Sequence, residues 1–133
     1  MVTRHKVQTT DGRSVRLVGT RIVELRLSTL GCAVRLYFVG DDSSVTELSI
    51  GGPISIGRGE STISLSGAIP GLSCDPKQLS PLAELLGALV TEATVDRGGE
   101  LSLGFEHNLV LHAGLEEDGY PAWSLRSLPK IPL

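Results

Sequence analysis

The 133-residue chain contains little of what membrane proteins and disulfide-rich secreted domains require. Its two cysteines are too few for a disulfide framework. No stretch approaches the ~20 consecutive apolar residues of a membrane-spanning helix. The N-terminal residues are basic, but no apolar run follows them, so the sequence predicts no signal peptide. We therefore expect a cytoplasmic protein that does not associate with membranes.

Motifs of nucleophilic and nucleotide-dependent enzymes are also absent. The sequence has no Gly-x-Ser-x-Gly nucleophile motif. The glycine-rich stretch 51–59 has the glycine spacing of a phosphate-binding loop, but Arg58 and Gly59 occupy the positions of the required lysine and of the serine or threonine. We interpret this stretch as a hairpin tip and keep Arg58 as a candidate anion contact.

Metal and thiol chemistry is not favoured either. No cysteine lies at metal-ligand spacing from a histidine. His107 and His112 are five residues apart, so we expect them on opposite faces of a strand. An enzyme that uses Cys74 and His107 as a nucleophilic pair stays an alternative, although no third group that would orient the pair is visible. The leading prediction is a protein without catalytic residues, metal or cofactor.

The apolar residues, which make up 41% of the chain, follow a period of two. In segment 22–27 the alternation places Val23, Leu25 and Leu27 on one buried face. Comparable strand patterns occur at 33–38, 45–50, 54–56, 62–65, 89–95, 100–105, 109–113 and 123–125. Glycine- and aspartate-rich turn sequences separate several of these segments, so the sequence predicts antiparallel sheets with one buried face.

One segment has a helical pattern. Ser80 is a favourable N-cap and Pro81 suits the first helical position. Three leucines at helical spacing follow before Gly87 ends the segment. The pattern predicts one short helix, at about 80–87.

The predicted fold class is therefore α+β, mainly β. Residues 17–50 and 85–111 share apolar spacing after a common Leu-x-Gly start, which indicates two related antiparallel β-meanders that form a curved sheet or a split barrel. The alternative to an internal repeat is that the apolar spacing of any two β-meanders aligns this well. We interpret 1–12 as a flexible lead-in, 13–127 as a single β-rich domain and 128–133 as a proline-rich tail.

The second half of the chain carries a more specific pattern. An Asp-Pro pair at 75–76 precedes Leu-x-Pro-Leu at 79–82, and Tyr-Pro-Ala-Trp follows at 120–123. This arrangement resembles a family of small, uncharacterised bacterial β-rich domains that end in a Tyr-x-Ala-Trp box. The resemblance implies a bacterial cytoplasmic domain. It supplies no catalytic residues, because no activity is established for that family.

Charge is unevenly distributed along the chain, whose net charge is −3. Residues 1–36 contain seven arginines and lysines, whereas residues 92–118 contain seven acidic groups. The two clusters give the molecule a positive and a negative side, unless the strands that carry them are neighbours and their charges cancel. An acidic balance with 4% aromatic residues makes nucleic-acid binding an unlikely function.

The best candidate surface is an acidic, aromatic segment that contains Glu116, Glu117, Asp118, Tyr120 and Trp123. Aromatic side chains anchor protein interfaces, and carboxylates steer basic partners. The competing interpretation places the chain's only tryptophan in the open end of the sheet, where it completes the core.

These observations predict a non-enzymatic protein-binding module, in particular an immunity or inhibitor protein that blocks a toxin or enzyme partner. Self-association as a homodimer is the other partner prediction. The alternative function is a small-molecule or anion-binding domain that uses the concave sheet face. In that case Arg58, or an arginine within 16–35, would be the polar anchor.

Overall fold

A computed structural model describes residues 2–3, 6–8, 14–27, 34–51, 54–58, 61–65, 80–115 and 123–128. Strands dominate these ranges: β1 (Val2–Thr3), β2 (Lys6–Gln8), β3 (Ser14–Arg16), β4 (Arg21–Leu27), β5 (Val34–Val39), β6 (Val45–Ile50), β7 (Ile54–Arg58), β8 (Ser61–Leu65), β9 (Val90–Val95), β10 (Leu101–Phe105), β11 (Leu109–Ala113) and β12 (Trp123–Leu128). Short 3-10 helices occur at Ser80–Leu85 and Glu106–Asn108. No helix in these ranges has the length and apolarity that crossing a membrane requires.

The strands form two main antiparallel sheets. A four-stranded sheet has the order β12-β6-β5-β4, and a six-stranded sheet has the order β1-β9-β10-β11-β7-β8. Strands β2 and β3 pair separately. Each main sheet contains one meander of consecutive strands, β4-β5-β6 in the first and β9-β10-β11 in the second. The described strands leave both sheets open, so they do not close into a barrel.

The core collects the inward-facing side chains of both sheets in one hydrophobic cluster. In the four-stranded sheet, Leu48 lies opposite Leu36 on one side and Leu125 on the other. In the six-stranded sheet, Leu103 and Leu111 are opposite each other. All five side chains are fully buried, and each such burial contributes about 1.5–3 kcal/mol. The prediction of antiparallel strands with one buried face is confirmed.

Two glycine turns begin the two meanders. Gly19 has a φ of 91° and Gly87 a φ of 83°, a backbone conformation that glycine adopts without steric cost. Both glycines follow a buried leucine by two residues, Leu17 in the first turn and Leu85 in the second. In both turns the leucine carbonyl accepts a backbone hydrogen bond from three residues later, at 3.0 Å.

Backbone hydrogen bonds join these two turns reciprocally. They run from Gly19 N–H to Val90 O (2.9 Å), from Gly87 N–H to Ile22 O (2.7 Å), from Val90 N–H to Thr20 O (2.9 Å) and from Ile22 N–H to Ala88 O (3.2 Å). Arg21 and Leu89 form a single antiparallel bridge between them. The start of β4 is therefore bonded to the start of β9, and the two sheets meet at this point.

The predicted helix at 80–87 is not confirmed. Residues Ser80–Leu85 form a 3-10 helix, and the chain then turns through Gly87. Leu85 is fully buried but Leu86 is 49% exposed, so the leucines do not form one apolar stripe. A segment this short gains too few hydrogen bonds to offset the cost of α-helix nucleation. The protein is mainly β, and the α+β class is not confirmed.

The prediction for Val23 is wrong. The alternation places it on the buried face with Leu25 and Leu27, whereas its side chain is 56% exposed. The register between β4 and β5 shifts between Ile22 and Glu24, which leaves Val23 as an extra residue on β4. Such a bulge reverses the face of the residues beyond it, and Ile22 is fully buried instead.

Both ends of the chain contribute strand residues. Val2–Thr3 pairs with β9, and Lys6–Gln8 pairs with β3, so parts of the segment interpreted as a lead-in are extended. At the other end, Leu128 is the last residue of β12. Residues 129–133 of the predicted tail lie outside the described ranges.

We expect Gly19→Ala and Gly87→Ala each to lower the free energy of unfolding by about 1–2 kcal/mol, because an alanine is strained at positive φ. An added Cβ meets no atom within 4 Å at either glycine, so the cost comes from the backbone conformation alone. Gly51→Ala is the matched control, since Gly51 has equal space and no positive φ. Equal midpoints for all three variants in urea would contradict the role of the two turns.

Candidate functional site

The outer face of the four-stranded sheet carries two cross-strand rows of polar side chains. The first row contains Glu24, Tyr37, Glu47 and Arg126, and the second contains Arg26, Arg35, Ser49 and Ser124. Each row crosses β4, β5, β6 and β12 in that order. Successive side chains of a strand point to opposite faces, so both rows lie on the face turned away from the leucine core. We call these eight residues the arginine–tyrosine face.

A buried polar pair occupies the centre of this face. Tyr37 is 6% exposed and Glu47 is 7% exposed. The Tyr37 hydroxyl donates a hydrogen bond to Glu47 Oε2 at 2.7 Å, and Arg126 Nη2 donates to Glu47 Oε1 at 3.1 Å. Both carboxylate oxygens therefore have partners, which a buried charge requires. Among the described residues, no buried side-chain nitrogen or oxygen lacks a hydrogen bond.

Arg26 is fixed by an aromatic ring and a carboxylate. Its guanidinium carbon lies 4.9 Å from the centre of the Tyr37 ring, within the range of a cation–π interaction. Its Nε donates to Glu24 Oε2 at 2.7 Å. This hydrogen bond and the negative charge of Glu24 raise the pKa of Arg26, so the guanidinium stays charged.

Arg35 lies directly opposite Arg26 on the neighbouring strand. Both side chains are exposed. Like charges directly opposite each other in a sheet destabilise the strand pair. Ser49 lies opposite Arg35 on the other side, and Ser124 lies opposite Ser49. The second row thus consists of two arginines followed by two serines, and the Arg26 guanidinium reaches from it to Glu24 and Tyr37 of the first row.

Burial raises the pKa of the Tyr37 phenol above its usual 10.0, and the hydrogen bond to Glu47 raises it further. The folded protein therefore holds this proton at pH values where the unfolded chain has lost it. By linkage, the resulting stability is fully present below pH 10 and is lost as the pH rises through the folded-state pKa.

We expect Tyr37→Phe to lower the free energy of unfolding at neutral pH by about 1–3 kcal/mol, because Glu47 Oε2 then loses its buried donor. Denaturant titrations of both proteins, from neutral pH to above pH 10, measure this. The wild type should lose stability more steeply than the variant in the alkaline range. Parallel curves would contradict the assigned role of the Tyr37 proton.

A cavity of about 560 Å³ opens at one end of the same sheet. It lies between the first glycine turn, the β5–β6 turn and the end of β12, and its lining residues are Arg16, Val18, Gly19, Thr20, Gly40, Asp41, Asp42, Ser44, Val45, Thr46, Ser127 and Leu128. Asp42 Oδ1 shapes the β5–β6 turn by accepting hydrogen bonds from the Ser44 amide and hydroxyl at 3.0 and 2.6 Å. The walls offer donors, acceptors and both signs of charge.

The six-stranded sheet carries a smaller polar cluster on its outer face. Ser102 and His112 are cross-strand partners, and Ser102 Oγ lies 2.6 Å from His112 Nδ1. Thr94 and Ser55 extend this row on either side. His107 lies apart from it, in the 3-10 helix after β10 with a φ of 62°. Within the described ranges, no three His, Cys, Asp or Glu side chains are grouped to hold a metal ion.

The predicted partner surface is described only at its end. Glu116, Glu117, Asp118 and Tyr120 lie outside the described residues. Trp123 is the first residue of β12 and packs, partly buried, against the core. Its indole N–H donates to the Gly99 carbonyl at 2.8 Å, in the turn between β9 and β10. Trp123 therefore bonds one sheet to the other and still keeps part of its ring exposed.

Of the other candidate residues, the structure describes the backbone of Arg58 but not Cys74. Arg58 ends β7, where its backbone lies opposite Leu109 and Ser61. Cys74 lies outside the described residues, so its pairing with His107 stays a prediction.

The basic and acidic clusters of the sequence meet at one described contact. Arg21 Nη1 lies 3.4 Å from Glu106 Oε1 and donates to the Gly87 carbonyl at 3.0 Å. This ion pair is largely exposed, so it contributes about 0–1 kcal/mol. It brings one charge of each cluster together, between the start of β4 and the 3-10 helix that follows β10.

Sequence reasoning missed the network of Tyr37, Glu47 and Arg126. Each of them stands at a polar position of an alternating segment, where a solvent-exposed side chain is the ordinary expectation. The available signal was a tyrosine and a glutamate on adjacent predicted strands of one hairpin. It becomes specific only once the register places them opposite each other.

The fold and this face define an open, two-sheet antiparallel β protein with a polar network on one outer face. The chain belongs to DUF6188, a family of unknown function that matches residues 14–129. The resemblance to an uncharacterised family is thereby confirmed. No curated protein and no solved structure matches the chain.

Proposed function

We propose that the protein is a non-enzymatic protein-binding module of the bacterial cytoplasm, and that it acts as an immunity or inhibitor protein on a toxin or enzyme partner. The proposed interface comprises β12 and the acidic, aromatic segment 116–122 that precedes it in the chain. The exposed part of Trp123 lies where the two meet.

The position of β12 at the edge of its sheet carries this proposal. β12 pairs with β6 along its whole length, and no described strand pairs with its other edge. An edge strand presents a row of backbone donors and acceptors to which an extended segment of a partner can add. A half-buried tryptophan at the start of the strand is a typical anchor for such a contact.

The six-stranded sheet supplies an internal comparison. β7 pairs with the third strand of its meander, as β12 does in the four-stranded sheet. On its far side β7 pairs with β8, through all five residues of Ser61–Leu65. The corresponding side of β12 is the proposed partner site.

The two meanders are further proposed to be copies of one ancestral unit. Their registers support this: Leu25 lies opposite Leu36 as Ala93 lies opposite Leu103. Both also shift register near the start of the first strand, after Ile22 and after Val90. The reciprocal bonds between the glycine turns have the symmetry that two such copies would have.

The registers change one part of the alignment read from the sequence. Apolar spacing alone matched Leu48 with Leu109. However, Leu48 lies opposite Leu36, and the residue opposite Leu103 is Leu111. If the meanders are copies, Leu48 corresponds to Leu111.

The charge of the adjoining segment indicates the kind of partner. Glu116, Glu117 and Asp118 are three consecutive acidic residues that precede β12 in the sequence. Arg126 is the only charged residue of β12 itself. Carboxylates at the rim of an interface accelerate association with a basic surface and make it dependent on salt. A basic active-site cleft of a toxin or enzyme has this chemistry.

The test is capture of a partner from source-cell lysate by tagged protein, at low and high salt. We expect one stoichiometric partner that is released by salt. Replacement of Glu116, Glu117 and Asp118 by alanine should weaken its binding about tenfold or more and flatten the salt dependence, because the steering charge is lost.

Replacement of Glu84, Glu92 and Glu100 by alanine is the control, since it changes the net charge equally elsewhere on the molecule. Equal affinity of both triple variants would contradict the assigned interface. If the tagged protein captures only a second copy of itself, the result would favour a homodimer over the inhibitor hypothesis. The single tryptophan reports directly on either contact, because its fluorescence responds to burial at the edge of β12.

A second candidate function, binding of a small molecule or anion, is favoured by the cavity of about 560 Å³. Its volume suits a small ligand, and Arg16 in its wall belongs to the arginines expected as polar anchors. A metabolite set screened for thermal stabilisation tests it. We expect Arg16→Gln to abolish the shift of an anionic hit and Arg97→Gln, in the β9–β10 turn, to preserve it.

A further inference from the structure

We infer that Arg26 and Arg35 bind one phosphate group on the outer face of the four-stranded sheet, with the Ser49 hydroxyl as an additional donor. The inference does not depend on the proposed interface, because it uses the interior strands β5 and β6 and the opposite edge strand β4. Its ligand is a tetrahedral dianion, either free phosphate or a phosphoryl group carried by a partner protein.

The first argument is the placement of two like charges. Arg26 and Arg35 are cross-strand partners, so their Cβ atoms lie roughly 4.5–5.5 Å apart. Glu24 offsets the charge of Arg26 at 2.7 Å, whereas no described carboxylate forms an ion pair with Arg35. A bound dianion would compensate the charge of Arg35 and gain a second contact from Arg26.

The second argument is that the surrounding residues hold the cationic side chains in place. Glu24 engages the Nε edge of Arg26, and the Tyr37 ring supports its guanidinium from below. Tyr37 is itself fixed by the buried Glu47. A guanidinium already fixed in position loses less conformational entropy when it binds a ligand.

The geometry of the donors decides the class of anion. A guanidinium binds best through two parallel N–H groups to two acceptor oxygens. A carboxylate has two oxygens and satisfies one such fork. Two arginines and a serine on neighbouring strands offer more donors than one carboxylate accepts, whereas a phosphate has three acceptor oxygens and up to two negative charges.

The row also extends beyond the two arginines. Ser49 lies next to Arg35 in the row, and Ser124 lies next to Ser49. Both are partly exposed. Their hydroxyl groups add neutral donors to the row beside Arg35.

The test is an NMR titration of the full chain with inorganic phosphate, against sodium chloride of the same ionic strength. We expect saturable shifts of the Arg26, Arg35 and Ser49 amides with phosphate only. In Arg35→Gln the apparent dissociation constant should rise about tenfold or more, which is the loss of one charged bidentate contact. The dissociation constant of Arg35→Lys should lie between those of the wild type and Arg35→Gln, because lysine keeps the charge but lacks the two parallel N–H donors of arginine.

Stability separates a binding role from a structural one. Arg35→Gln removes a like-charge pair, so without phosphate the variant should unfold at the same or a higher denaturant concentration than the wild type. Arg97→Gln is the matched control, with the same change in charge on an exposed turn of the other sheet. It should leave the phosphate titration unchanged.

A phosphoserine peptide and its unphosphorylated form distinguish the two sources of phosphate. Binding of the phosphopeptide more tightly than phosphate supports a phosphorylated partner, and equal affinities support free phosphate. Shifts that chloride reproduces, or an Arg35→Gln protein that binds phosphate as the wild type does, would overturn the inference.

Discussion

The reciprocal backbone hydrogen bonds between the two glycine turns are the constraint on which the rest of the structure depends. They join the start of β4 to the start of β9. Each turn contains a glycine at positive φ whose amide donates to a carbonyl in the strand that follows the other turn. Once the two starts are joined, the meanders extend from one point into two sheets. The sheets then bury their apolar faces in one shared cluster.

This arrangement decides where a functional surface can lie. Both inner faces are occupied by the core, so chemistry is left to the outer faces, the sheet edges and the end of the four-stranded sheet. The arginine–tyrosine face is coupled to the core because its central Tyr37 and Glu47 are themselves buried. β12 is connected to the core through Trp123, which packs against it and donates a hydrogen bond to the turn between β9 and β10.

The strands, and which face most of them bury, could be predicted from the sequence because the relevant interactions are local. A period of two fixes which side chains share a face, and glycine- and aspartate-containing turns at 40–43 and 96–99 separate the strands. The predicted helix was not confirmed, because Ser80–Leu85 forms only a short 3-10 helix and Leu86 is exposed instead of packing in the core. The prediction that Val23 is buried was wrong because the bulge at this position cannot be recognised from the alternation of apolar and polar residues.

The sequence by itself determined a mainly β protein, its meanders and its membership of an uncharacterised family. Only the tertiary structure decided which polar residues meet. Periodicity assigns a residue to a face but names no partner, since the partner lies on another strand in a register chosen by long-range hydrogen bonding and packing. That register places Arg35 opposite Arg26 and Tyr37 beside Glu47. It thereby assembles a polar network from residues that give no such signal along the chain.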